Sequence, residues 1–159
     1  MDNKYVKLHS LLRMLGALLA IAAFISMFVA KQAVHSDSDF AQYVFADFRN
    51  GAFFGGDYYK GNVLAFIGYL FVLLGGLAGL AFVFIDEMIG KDLKKKLSFV
   101  AGGVAVLGAI FVLLFAPVFN GINDRSDLVN AAGPIVFGIF GIIVGGINAA
   151  APILEDKGL

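Results

Sequence analysis

The chain of 159 residues contains no cysteine and no tryptophan, and only three prolines and two histidines. Lacking cysteine, it has no disulfide, no thiolate nucleophile and no iron–sulfur ligand, and two histidines offer little to hold a transition metal. Charge is scarce as well. Asp, Glu, Lys and Arg make up 15 % of the residues, against about a quarter in soluble domains. Twelve basic and twelve acidic side chains cancel, so no basic field exists to attract nucleic acid or another polyanion.

What is present is apolar, 60 % of the chain. The stretches 14–30, 61–85, 97–123 and 128–154 hold no charge and together cover 96 residues. About 20 apolar residues at 1.5 Å rise cross a hydrocarbon layer of roughly 30 Å. The sequence therefore predicts an all-α membrane protein, one integral domain built as a bundle of four transmembrane helices. The spans fall at 11–30, 62–85, 97–119 and 131–154, with outer loops at 31–61 and 120–130 and an inner loop at 86–96. Lys4, Lys7 and Arg13 ahead of the first span also suit a signal peptide, but Ala30-Lys31-Gln32-Ala33 is a poor cleavage site, so retention is expected. Arg13, at the edge of that span, is expected to snorkel to the headgroups. Asn130 is available to cap span four, Pro134 suits its first turn, and Pro117 and Pro152 read as terminators or end kinks.

Four spans put both termini on one side. That side carries Lys4, Lys7, Arg13, Lys91, Lys94, Lys95, Lys96 and Lys157, eight basic residues against four (Lys31, Arg49, Lys60, Arg125) on the other. Positive-inside then predicts a multi-pass protein of the plasma (inner) membrane with both termini cytoplasmic. Lys91, Lys94, Lys95 and Lys96 are expected to face anionic headgroups, which makes membrane lipid the first expected partner.

Residues 31–61 carry Phe40, Tyr43, Phe45, Phe48, Phe53, Phe54, Tyr58 and Tyr59, too much aromatic surface to leave in water. The segment can fold back over the helix ends, lie in the headgroup layer, or dock on a second copy or another protein. A short helix over 37–50, capped by Ser36 or Ser38, is one conformation for it. Gly55-Gly56 permits a sharp reversal before span two.

Inside the spans, small residues recur at helical spacing: Gly68, Gly75 and Gly79; Ala101, Ala105 and Ala109; Gly138, Gly141 and Gly145, with Asn148 one turn on. In lipid, helices associate through close contact of small residues, so these are the predicted packing faces. They exceed what one bundle needs, which points to a homo-oligomer or a subunit of a membrane complex, or else to glycine faces that bound a lipid-filled groove. Bulky residues such as Ile110, Phe111, Leu113, Leu114, Ile135, Phe140 and Ile143 are expected to face lipid.

The spans contain no ionisable residue of the kind that marks an ion or proton path. Ser26, Tyr69, Ser98 and Asn148 are too few and dispersed for a hydrophilic pore. His9 and His35 flank span one and should lie on opposite membrane faces. His35 with Asp37, Asp39 and Asp57 matches no calcium loop. No catalytic residue, cofactor or metal site is predicted. In span order and loop lengths the chain resembles the animal tetraspan families that include claudins and MARVEL-type proteins. The resemblance is one of topology, because the tryptophans and cysteine pair of the claudin first loop are absent and no residue carries over.

The function this supports is a non-catalytic structural or accessory membrane protein, acting by self-association or by assembly with lipid or a membrane complex. The alternative is a small transporter or channel, with Asn148, Tyr69 and Ser26 lining a narrow path. A lipid-binding or lipid-modifying protein is the third reading.

Overall fold

The computed structural model describes residues 7–36, 45–57, 59–85 and 88–159. In chain order the elements are α1 (Leu8–Val29), β1 (Ala33–His35), β2 (Phe45–Ala46), α2 (Val63–Phe84), α3 (Lys91–Leu113), α4 (Phe115–Ile122), β3 (Leu128–Asn130) and α5 (Ala132–Asp156). Helices α1, α2, α3 and α5 are each long and apolar enough to cross a membrane. The chain thus has the architecture of a multi-pass membrane protein, a four-helix bundle with an aromatic-rich segment between its first two helices. Around the bundle the order is α1, α2, α3, α5, with α5 closing against α1.

Residue size is sorted in a way that lipid explains. The interior is made of Ala17, Ala20, Ala23, Ala101, Ala105 and Ala109 with glycines between them, while Leu18, Leu74, Val100 and Ile142 point outward. Hydrocarbon outside removes any hydrophobic drive to bury the large side chains, and close backbone approach supplies the contact energy instead. Tight contacts follow. A Cβ added at Gly68 would lie 2.7 Å from the Gly108 carbonyl oxygen, and one at Gly75 would lie 2.8 Å from that of Ala101.

Helix α2 starts where the sequence reading puts span two, because buried Asn62 accepts from the Ala65 amide at 3.2 Å and donates to the Phe115 carbonyl at 3.1 Å. Span three differs from expectation. A single helix over 97–119 is replaced by α3 and α4, broken at Leu114. Pro117 has no amide to give the Leu113 carbonyl. Asn130 fills the gap, donating to the Leu113 carbonyl at 2.5 Å and accepting from the Ala116 amide at 2.7 Å. Asn130 therefore caps this break rather than span four, whose N-cap Ala131 makes no side-chain bond. Pro152 is no terminator either, since α5 continues through it to Asp156.

The two loops at the far end from the termini join into one cap. Strand β1 pairs antiparallel with β2 and with β3, so the sheet order is β2-β1-β3. The helix expected over 37–50 is not what the described part of that range forms. Residues 37–44 lie outside the described residues, whereas Phe45–Ala46 is strand and 48–54 are turns. The strand forms because Ala46 finds an edge: its carbonyl accepts from the Gln32 amide at 2.7 Å. Gly51 and Gly55 take φ of 83° and 84°, which reverses the chain and drives Phe53 inward.

Candidate functional site

Three places carry the residues singled out from the sequence: the helix contacts, the cap, and the end that holds the termini.

In the bundle, most of the small residues meet one another within one chain. Gly68 faces Gly108 and Phe111, Gly75 faces Ala101 and Ala105, Gly141 faces Val72 and Ala109, and Gly145 faces Val106 and Gly102. Leu113, expected toward lipid, instead covers Gly138. Asn148 is fully buried against Gly79 and donates to the Gly75 carbonyl at 2.9 Å. A side chain at Gly79 would occupy the place of the Asn148 amide, so these two residues fit only as a pair. Among the glycines of the four spans, Gly103 and Gly146 alone have nothing within 4 Å of an added Cβ. The surplus of small faces is thus far narrower than the sequence suggested, because the other span glycines are filled by neighbouring helices or, at Gly133, by residues 30–32.

Of the polar residues proposed to line a path, Ser26 and Tyr69 lie together below the cap, and Asn148 lies apart from both. The Tyr69 hydroxyl donates to Gln32 at 2.9 Å near the cap, and Ser26 returns its hydroxyl to the Ala23 carbonyl at 2.6 Å. Asn148 lies in the other half of the bundle. Between the two levels Ala20, Ala23, Val72, Ala105, Ala109 and Val144 form one apolar cluster that solvent does not reach.

In the cap, Phe53 is fully buried, with its ring 6.0 Å from Tyr69, 5.8 Å from Phe115 and 6.4 Å from Phe66, centroid to centroid. The segment therefore folds back over the helix ends. Phe53 is consumed in that core and is not a surface for a partner. Phe48 and Tyr59 are half-buried against the same cluster, and Phe54 is 59 % exposed. Phe45 contributes its backbone to β2, and Phe40, Tyr43 and Tyr58 lie outside the described residues. Gln32, which nothing in the sequence marks, ties the cap together. Its amide nitrogen donates to the Ala30 carbonyl, its main chain bonds Ala46 and Ala131, and its carbonyl receives Tyr69.

At the cap surface His35 lies 3.1 Å from Asp127, which also pairs with Arg125. The Arg125 guanidinium beside it holds the Asp127 carboxyl down at about 2. The His35–Asp127 contact and the Ser36 amide, which donates to the Asp127 carbonyl, fasten β1 to the second loop. Asp37 and Asp39 lie outside the described residues, and no cluster of three potential metal ligands occurs among those described.

The end that holds the termini departs most from expectation. Arg13 does not snorkel. It is 1 % exposed, inside the bundle, where it donates to Ser98 Oγ at 3.0 Å, reaches the Gly79 carbonyl at 3.4 Å and lies over the Phe82 ring. Its guanidinium is 3.9 Å from Glu155. The spans thus contain an ionisable residue after all, five residues or roughly 7 Å into α1. Lys94 is likewise no lipid-facing residue: it is buried and donates to Glu155 at 2.7 Å. Helix periodicity is the reason, since Lys94 lies one turn before Ser98 on the face that meets α5. Lys95 pairs with Asp156 at 2.6 Å, and Lys91 and Lys96 are exposed. His9 Nδ1 meets the main-chain oxygen of Leu159 at 2.6 Å. The start of α1 is therefore tied to Leu159 through His9, and the end of α5 to Arg13 and Lys94 through Glu155. The sequence signal that could have found this second tie is the position of Glu155, directly after a charge-free run and on the same side as Arg13.

The chain matches no protein-family model and no curated protein.

Proposed function

We propose that this is a non-catalytic accessory protein of a plasma (inner) membrane, with both termini cytoplasmic, that acts by contact with a second copy, a membrane complex or lipid. One observation carries the reading. The mid-membrane core is sealed by Ala20, Ala23, Val72, Ala105, Ala109 and Val144, and the chain is braced at both ends, which suits a rigid platform better than a conduit. The eight-to-four excess of basic residues on the side of the termini supports the orientation.

Self-association has a place to occur. Gly102 and Gly145 touch between α3 and α5, so the next residues, Gly103 and Gly146, flank that contact at one depth with open space above both. Apolar side chains at the rim of the cap, Phe28, Val29 and Phe54, offer a second surface. Crosslinking in native membranes, followed by mass analysis, is expected to join the protein to a neighbour. A solitary monomer rejects the proposal. Solute or ion flux in liposomes holding the purified chain would favour the transporter reading instead.

A further inference from the structure

We propose that the groove between α2 and α3 holds an acyl chain of an anionic glycerophospholipid, taken from the leaflet on the side of the termini, with its phosphate met by Lys96. The inference deepens the reading above, since it rests on this chain working in contact with lipid.

The first argument is shape. The groove has a volume of about 250 Å³ and opens outward from the bundle, with Gly75, Ala78, Phe82, Leu97, Ala101 and Val104 among its walls. Its floor is where Gly75 and Ala101 bring the helix backbones together. Its rims are Leu74 and Val100, both more than half exposed. Every lining side chain is apolar. From Gly75 to Phe82 it runs about 10 Å along α2, from mid-membrane toward the end that holds the termini. An open apolar groove of that length, confined to one leaflet, matches a methylene chain lying along the helices.

The second argument is charge at the groove's mouth. Of the three consecutive lysines, Lys94 is held by Glu155 and Lys95 by Asp156. Lys96 is exposed and forms no ion pair among the described residues. It lies one turn before Val100 on α3, so its side chain emerges beside the rim at headgroup depth. Asp92, a turn earlier, sits in the first turn of α3, where the helix dipole favours it. An ammonium beside an apolar groove in one leaflet is complementary to a lipid phosphate above an acyl chain.

The test uses the purified full chain in detergent, titrated with dioleoylphosphatidylglycerol or dioleoylphosphatidylcholine and read by native mass spectrometry. The two lipids share acyl chains and differ in net charge. The expected result is one retained phosphatidylglycerol in preference to phosphatidylcholine. Lys96→Gln lowers that preference about fivefold, the effect of one lysine at a membrane surface, by weakening phosphatidylglycerol binding more than that of phosphatidylcholine, whose phosphate is offset by its own ammonium. Ala78→Phe fills the groove and removes the adduct for both lipids, while Lys60→Gln at the opposite end changes neither. Lys96 is on the surface, so its variant reads out even where Ala78→Phe fails to fold. Equal retention of the two lipids by the unaltered chain, or no response to Lys96→Gln, overturns the proposal. A dimer mass that disappears with Ala78→Phe assigns the groove to a second copy and also overturns it. A solitary monomer in the crosslinking experiment would defeat the accessory reading while leaving this lipid result standing.

Discussion

At one end of the bundle a long loop covers the helix ends with a three-stranded sheet and packed phenylalanine rings, whereas at the other the helix ends are joined by charged side chains. The difference follows from how much chain is available. Between α1 and α2 lie 30–62, enough to build a small core around Phe53, and the second loop adds β3 and α4 to it. Between α2 and α3 lie 85–90, too few for any core. There the four helix ends are gathered by Arg13, Lys94, Ser98 and Glu155. The cap is held chiefly by apolar packing, with the His35, Asp127 and Arg125 contacts at its surface open to screening, while the terminal end is held by Arg13 and Lys94, buried charges that salt screens much less.

The sharpest way to break this contrast is Phe53→Ala. Removing a fully buried ring from the cap should cost about 3–5 kcal/mol, seen as a large fall in the unfolding temperature in detergent. Hydrogen exchange should rise over 45–57 and stay unchanged around Arg13. Arg13→Ala is the matching change at the other end, and should cost less, about 2–3 kcal/mol, because Glu155 remains partly hydrated. Arg13→Met should recover part of that loss, since an apolar side chain needs no partner there. If the methionine variant is as unstable as the alanine one, the cluster holds by charge rather than by packing.

Asn130→Ala should cost about 1–2 kcal/mol through the two hydrogen bonds at the α3/α4 break, with faster exchange at Ala116 as the local readout. The smallest effect is at the cap surface. Folding lowers the Asp127 carboxyl to about 2, below the ordinary value of about 3.9. Its contribution is therefore complete above pH 4 and lost as pH falls toward 2. Asp127→Asn should flatten that part of the stability curve, and a profile unchanged by the substitution would show that the Arg125 pair does not hold the cap.

The particular residues show where sequence reasoning runs out. The edges of spans one, two and four are readable to within about three residues because hydropathy is local, whereas the helix of span three is displaced, Lys91–Leu113 against 97–119. Arg13 is misread because its environment is made by Gly79, Ser98 and Glu155, which come from three other helices. Asn130 is misread because its nearest helix by sequence is α5, while the unsatisfied carbonyl lies on Leu113. Lys94 and Lys95 are adjacent in the chain, yet the helix turns one of them inward to Glu155.

The sequence by itself determined the number of spans, their lengths and the segregation of charge, because hydrocarbon admits only long apolar helices whose backbone bonds close internally. Only the tertiary structure decided that the two loops on one side share a sheet, that most of the glycine faces are filled within one chain, and that an arginine is buried at the other end. Each of these depends on groups far apart in sequence meeting at atomic distance, and no local pattern of hydropathy or spacing encodes such a meeting.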